Sequence, residues 1–176
     1  MSINQSSPVI DVRIPFEPGK QLGFAYNRAM ETIKDWVLFL DHDVLLCNPA
    51  WYTICQDAIN QVGHMAGFIT CMTNRIGCSC QQDTGCPGND IKEHLLHAQT
   101  LQAAHRGELK KTSISDTPFS GFFILTHRRA WKDAGGFIDG FLGVDNAYYR
   151  AVSKAGYKTY VLPGLYVYHT YRLKLN

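Results

Sequence analysis

The chain has 176 residues, 45% of them apolar and 18% charged, enough to bury one good core but hardly two, which excludes a disordered protein and points to one domain over residues 1–176. Seventeen Lys and Arg against fifteen Asp and Glu leave a net charge of +2, too balanced for a nucleic-acid surface or a polybasic membrane patch. The start, MSINQSSPVI, has no basic stretch leading into a long apolar one, and no run of about 18 apolar residues occurs, so a cytoplasmic protein without a transmembrane segment is expected.

Val9 to Ile14 is a short apolar-rich run closed by Pro15 and the turn-forming Glu17-Pro18-Gly19, which predicts a strand and then a loop. Leu22 to Ile33 reads as a helix. Trp36 to Leu40, WVLFL, is a continuous apolar run of strand length that ends abruptly in Asp41-His42-Asp43, as a buried parallel strand does on meeting a polar edge. Asn48-Pro49 reads as an N-cap with proline at the first helical position, opening a helix to about Asn60. Met65 to Met72 is a second buried strand. The segment 73–90 is rich in Gly, Cys, Asn and Asp and has no period, so a long flexible loop is expected, of the kind that serves as a lid or binding segment.

Beyond it, Ile91 to Arg106 is helical by spacing, Phe119 to Thr126 a strand, Arg128 to Ala134 a short helix and Val144 to Ala155 a helix. Tyr157 to Leu162 and Tyr166 to His169 close the chain as two short strands. Alternation of strand and helix predicts an α/β fold with a mixed, mainly parallel sheet flanked by helices. The six cysteines fit free thiols better than a disulfide framework, because a chain this long does not need such staples. Three of them, Cys78, Cys80 and Cys86, could instead join Cys71, His94 or His97 on a structural zinc, although their spacing matches no paired CxxC pattern.

Three signals carry chemistry. Asp41 and Asp43 lie one residue apart just past the carboxyl end of a buried strand, where open α/β sheets bind ligands, and two such carboxylates suit a hard cation and a sugar hydroxyl together. Taken alone, DxD is more often a solvated loop. Asp145 stands at the start of a helix, where capping explains an aspartate equally well. His169 ends the run Tyr166-Val167-Tyr168-His169, and a lone histidine is more often structural than a ligand.

In their order along the chain these motifs resemble the GT-A glycosyltransferases, particularly the inverting family 2 that includes many bacterial and phage sugar transferases. GKQLGFAYNRA (19–29) is similar to the family's Gly-rich segment leading into a helix, and DWVLFLDHDVLL to its DxD strand. FSGFFILTHRRAWKDAGGF (119–137) resembles the acceptor-side strand with its helix and double glycine. GVDNAYYRAVSKAGYKTYVLP aligns Asp145 with the catalytic aspartate, and VYHTYR resembles the closing strand, in which a histidine often completes the metal site.

The resemblance implies a GT-A, Rossmann-like fold with a reduced N-terminal part and a metal-dependent hexosyltransferase using a nucleotide-sugar, with UDP the family's commonest carrier. It places Asp43 and His169 on Mn²⁺ or Mg²⁺, with Asp41 on the donor ribose or a metal-bound water. Asp145 becomes the general base of an inverting transfer to a glycan, lipid-linked or protein acceptor. Lys20, Gly23 and Asn27 fall on the donor side, where backbone N–H groups of the helix from Leu22 would also face the phosphates. Two departures stand out: the family's opening strand-helix-strand unit is missing, and Val144 replaces the glutamate that usually precedes the catalytic aspartate. A homo-oligomer would supply the missing part of the donor pocket. A catalytically inactive nucleotide-sugar or glycan-binding module, or partner subunit, of the same fold is the alternative reading.

Overall fold

A computed structural model describes residues 7–112, 118–140 and 142–170. Tyr171 and Arg172, which belong to the closing stretch compared above, lie outside the described residues.

The chain forms an α/β fold with a mixed seven-stranded sheet flanked by helices. Its strands are β1 (Ile10–Arg13), β2 (Trp36–Leu40), β3 (Val44–Leu46), β4 (Ala66–Thr73), β5 (Lys110–Lys111), β6 (Phe123–His127) and β7 (Lys158–His169). The helices are α1 (Leu22–Thr32), α2 (Trp51–Val62), α3 (Ile91–Ala104), α4 (Arg128–Asp133) and α5 (Val144–Lys154). The sheet order is β1-β2-β6-β4-β7-β3, with β5 also paired to β7.

Alternation along β2 builds both faces of the sheet. Trp36, Leu38 and Leu40 pack with Cys55, Ala58 and Ile59 of α2, whereas Val37 and Phe39 pack with Tyr26 and Met30 of α1, Ala130 of α4 and Tyr148, Tyr149 and Val152 of α5. Every residue of β2 is buried, which is why its sequence reads as an unbroken apolar run rather than an alternating one. A third cluster seats Ala98 of α3 on Cys47, Tyr166 and Tyr168.

The expectation of a mainly parallel sheet is corrected. Among the described residues only the β1–β2 and β4–β7 ladders are parallel, and the other four are antiparallel. A buried apolar strand has the same composition in either direction, so periodicity carries no sign. Even so, β1, β2, β4 and β7 all run the same way, and β6 starts at the edge where they end, Phe123 pairing with Leu40. The residues after β2, after β4 and at the end of β7 therefore meet at one carboxyl edge, with the segment preceding β6.

Three local expectations also change. Asn48 does not cap α2, whose N-cap is Ala50 without a side-chain hydrogen bond. Instead the buried Asn48 amide donates to the Ala98 carbonyl and to Gln102 Oε1, both at 3.1 Å, while its oxygen accepts the Tyr166 N–H at 3.0 Å. The two closing strands are one, with Pro163 and Gly164 absorbed at a register shift between Cys71 and Met72, where a residue lacking an N–H can be accommodated. Strands β3 and β5 had no sequence signal, since two or three residues are too few to show a period.

Candidate metal centre

The β2–β6 pairing fixes the position of Asp41. Its backbone N–H continues the ladder by donating to the Phe122 carbonyl at 3.1 Å, and the chain then turns through His42 and Asp43 into β3. That short strand runs back along the end of β7 with Val44 opposite His169, which carries Asp43 to the histidine. The result is a cluster in which one ligating atom each from Asp41, Asp43 and His169 all lie within 4.8 Å of one another. This is the one group of three or more such side chains among the described residues.

The tautomer of His169 determines what the cluster can hold. Its Nδ1 lies 2.9 Å from the Arg75 carbonyl, which can only accept, so Nδ1 carries a proton. In the neutral ring Nε2 then presents a lone pair 3.2 Å from Asp43 Oδ1, itself an acceptor. Two lone pairs in that relation need a cation between them, either a proton or a metal ion. A backbone carbonyl on the far ring nitrogen is also the usual support of a metal-ligating histidine. The donor set thus fits a divalent ion, and its mixture of carboxylate and imidazole suits Mn²⁺ better than Mg²⁺. Burial is the first cause pushing the Asp41 carboxyl above its usual range; His169 pulls it down, and the charges of Asp43 and Asp145 push it up further. A divalent cation would relieve that strain.

Asp145 lies in the first turn of α5 but does not cap it; the N-cap is Gly143. Its Oδ2 accepts the Gly121 N–H at 2.6 Å and its Oδ1 the Asn146 N–H at 2.8 Å, leaving each oxygen a further lone pair. Gly121 is required by this approach, because a Cβ there would stand 2.7 Å from Asp145 Cβ. The segment is clamped from the other side by buried Gln81, whose amide bonds Ser120 N, Ser120 O and Thr70 Oγ1. Buried Tyr26 feels both acidic sites: burial raises its pKa first, followed by the charges of Asp41 and Asp145.

The donor-side expectations fare differently. Gly23 has a packing role, since a Cβ on it would lie 1.9 Å from the Ile138 carbonyl oxygen. Asn27 holds the 131–137 region together, donating to the Phe137 carbonyl at 2.8 Å and accepting from Trp131 Nε1 and Phe137 N at 2.9 Å each. At the start of α1 the Leu22 N–H goes to the Gly140 carbonyl and the Phe24 N–H to Asp139 Oδ1, so these groups are not turned to a phosphate. Lys20 sits in the preceding turn with a positive φ of 61°.

Within the loop 73–90, Ser79–Gln81 form a single 3-10 turn, and Cys78, Gln81 and Cys86 are buried. The six cysteines, all among the described residues, form no disulfide with one another. The zinc alternative finds no cluster among the described residues: Cys78 and Cys80 sulfurs lie 3.0 Å apart, but both His94 nitrogens are engaged by Tyr166 Oη and Gly88 O, and His97 Nε2 by Asp83. A cleft of about 730 Å³ beside α2, lined by Asp57, Gln61, Gln102 and Arg106 among others, includes none of the acidic cluster.

Asn74 and Arg75 were missed. They are the first polar residues past the apolar run of β4, the same signal that picks out Asp41, within a stretch whose composition reads as loop. Asn74 Oδ1 accepts the His169 backbone N–H at 2.9 Å, so both residues hold the histidine. No helix among the described residues is long and apolar enough to cross a membrane. No protein-family model matches this chain, and no curated protein matches it in sequence.

Proposed function

We propose that the chain is a metal-dependent glycosyltransferase of the GT-A type, moving a sugar from a nucleotide-diphosphate donor, a UDP-sugar by resemblance, to an acceptor hydroxyl with inversion. The observation that carries the proposal is the convergence of Asp41, Asp43 and His169 within 4.8 Å at the carboxyl edge of the sheet. That is where an α/β sheet presents its ligand site, and a nucleotide-sugar needs positive charge there. A divalent ion held by these residues would supply that charge to a leaving diphosphate without proton transfer.

The chain's own residues divide the remaining work. Asp43 and His169 would hold the ion, with Asp41 as a third ligand or a contact to the donor ribose. Asp145, fixed by the Gly121 N–H, accepts the proton of the attacking hydroxyl on one of its oxygens, a contribution of about 10² to 10⁴ in rate. Gln81, bonded to both backbone groups of Ser120, steadies the neighbouring Gly121 N–H on that carboxylate.

Calorimetric titration of UDP and GDP, with Mn²⁺ and then with EDTA, into the wild type and Asp43→Ala tests the proposal. Metal-dependent binding that the variant loses supports it and names the nucleotide. Failure of every nucleotide to bind rejects it, and binding without sugar transfer to any acceptor, water included, leaves a nucleotide-sugar-binding module.

A further inference from the structure

Two buried donors on the residues that hold His169 have no hydrogen-bond partner among the described residues, Asn74 Nδ2 and Arg75 Nη1. Asn74 is only 8% exposed. Its amide orientation is set by the network, because Oδ1 accepts from both the His169 N–H at 2.9 Å and the Thr73 hydroxyl at 3.2 Å, and a flipped amide would set N–H against N–H. The guanidinium of Arg75 is anchored through Nη2 to Asn89 Oδ1, which leaves Nη1 as the unused donor of a fixed plane. Buried donors are almost always paired in folded proteins, so two neighbouring exceptions call for a ligand.

The chemistry of that ligand follows from what is offered: donors only, one of them cationic, on the two residues whose other polar atoms grip His169. The complement is an oxyanion, for which a guanidinium is the strongest side-chain partner. A second cation is also what a diphosphate needs next to a metal held by two carboxylates, which would otherwise repel it. We infer that Asn74 and Arg75 form an oxyanion subsite beside the metal centre that takes phosphoryl oxygens of the donor's diphosphate. The identity of the anion rests on the transferase reading; the existence of the subsite does not.

The test uses inorganic pyrophosphate and Mn²⁺ as probes. Any substitution at Arg75 keeps the backbone carbonyl that supports His169, so Mn²⁺ alone should bind Arg75→Met as it binds the wild type. Pyrophosphate affinity in the presence of Mn²⁺ should fall about tenfold or more in Arg75→Met and be partly restored in Arg75→Lys. In the wild type, which needs no variant to fold, adding pyrophosphate should shift the Arg75 Nε–H resonance. Equal pyrophosphate affinity in wild type and Arg75→Met, or no shift at Arg75, overturns the subsite. Unchanged pyrophosphate affinity together with Asp43-dependent UDP binding would overturn the subsite alone. Arg75-dependent pyrophosphate binding without nucleotide binding would reject the transferase and keep the subsite.

Discussion

His169 Nε2 lies 3.2 Å from Asp43 Oδ1, and a second link runs through the backbone of the next residue, the Thr170 N–H donating to the Asp43 carbonyl at 3.0 Å. The second link survives any substitution at Asp43, so Asp43→Ala should fold while losing one ligand. Mn²⁺ at about 100 times its Kd should stabilise the wild type by about 2.7 kcal/mol and raise its Tm, with little effect on Asp43→Ala or His169→Ala. Thermal melts with Mn²⁺ and with EDTA measure this. An equal shift in all three proteins would move the metal elsewhere.

The Gly121 N–H on Asp145 Oδ2 gives a second prediction. Asp145→Asn should bind nucleotide as the wild type does but release UDP from a UDP-sugar about 10² to 10⁴ times more slowly, with water or an acceptor as the nucleophile. Gly121→Ala should reproduce much of that loss with the carboxylate still present, because the added methyl would stand 2.7 Å from Asp145 Cβ and displace it. A normal rate in Gly121→Ala would show that the position of Asp145 does not matter to the reaction.

What could be read from the sequence divides along one physical line. Long periodic segments and abrupt polar ends were legible: β2 spans Trp36–Leu40 as expected, α1 and α5 start where their patterns start, and Asp41 and Asp43 lie past the strand end. Strand direction was not, because WVLFL and FILTH are both buried throughout and burial carries no sign of direction. The meeting of Asp43 with His169 depends on β3, three residues with no period of their own. Asn27 and Gly23 show a second limit of local spacing. Both have the residue type of a binding segment, but what they touch is the chain's own 131–139 region, a long-range contact invisible in local spacing.

Asn48 illustrates the same limit with a consequence for stability. Its position before Pro49 suggested a cap, yet its side chain ties α3 to β7 through Ala98, Gln102 and Tyr166. Asn48→Ala removes all three bonds and leaves the buried Tyr166 N–H without a partner, which should destabilise the fold by about 2–4 kcal/mol. A helix cap alone would be worth about 1 kcal/mol. Urea unfolding distinguishes the two, and a loss of only the smaller amount would restore the capping interpretation.

His127 predicts how stability depends on pH. The ring is buried at the junction of β6 and α4, where Nδ1 accepts the Ala130 N–H at 3.2 Å as the helix cap and Nε2 donates to the His64 carbonyl at 3.1 Å. This arrangement needs the neutral ring, since a second proton would land on Nδ1 and break the cap. Burial, followed by the neighbouring His64, lowers its pKa from 6.5 to about 4. Between those values the unfolded chain binds a proton that the folded one refuses. The contribution is therefore complete above pH 6.5 and is lost as pH falls toward 4. From pH 7 to pH 5 the loss should be about 2 kcal/mol. His127→Asn keeps an oxygen for the Ala130 N–H but cannot titrate, so the stability difference between wild type and variant should narrow by that amount over the same interval. Urea midpoints at the two pH values measure it; parallel losses in both proteins would mean that His127 accepts its proton in the folded state.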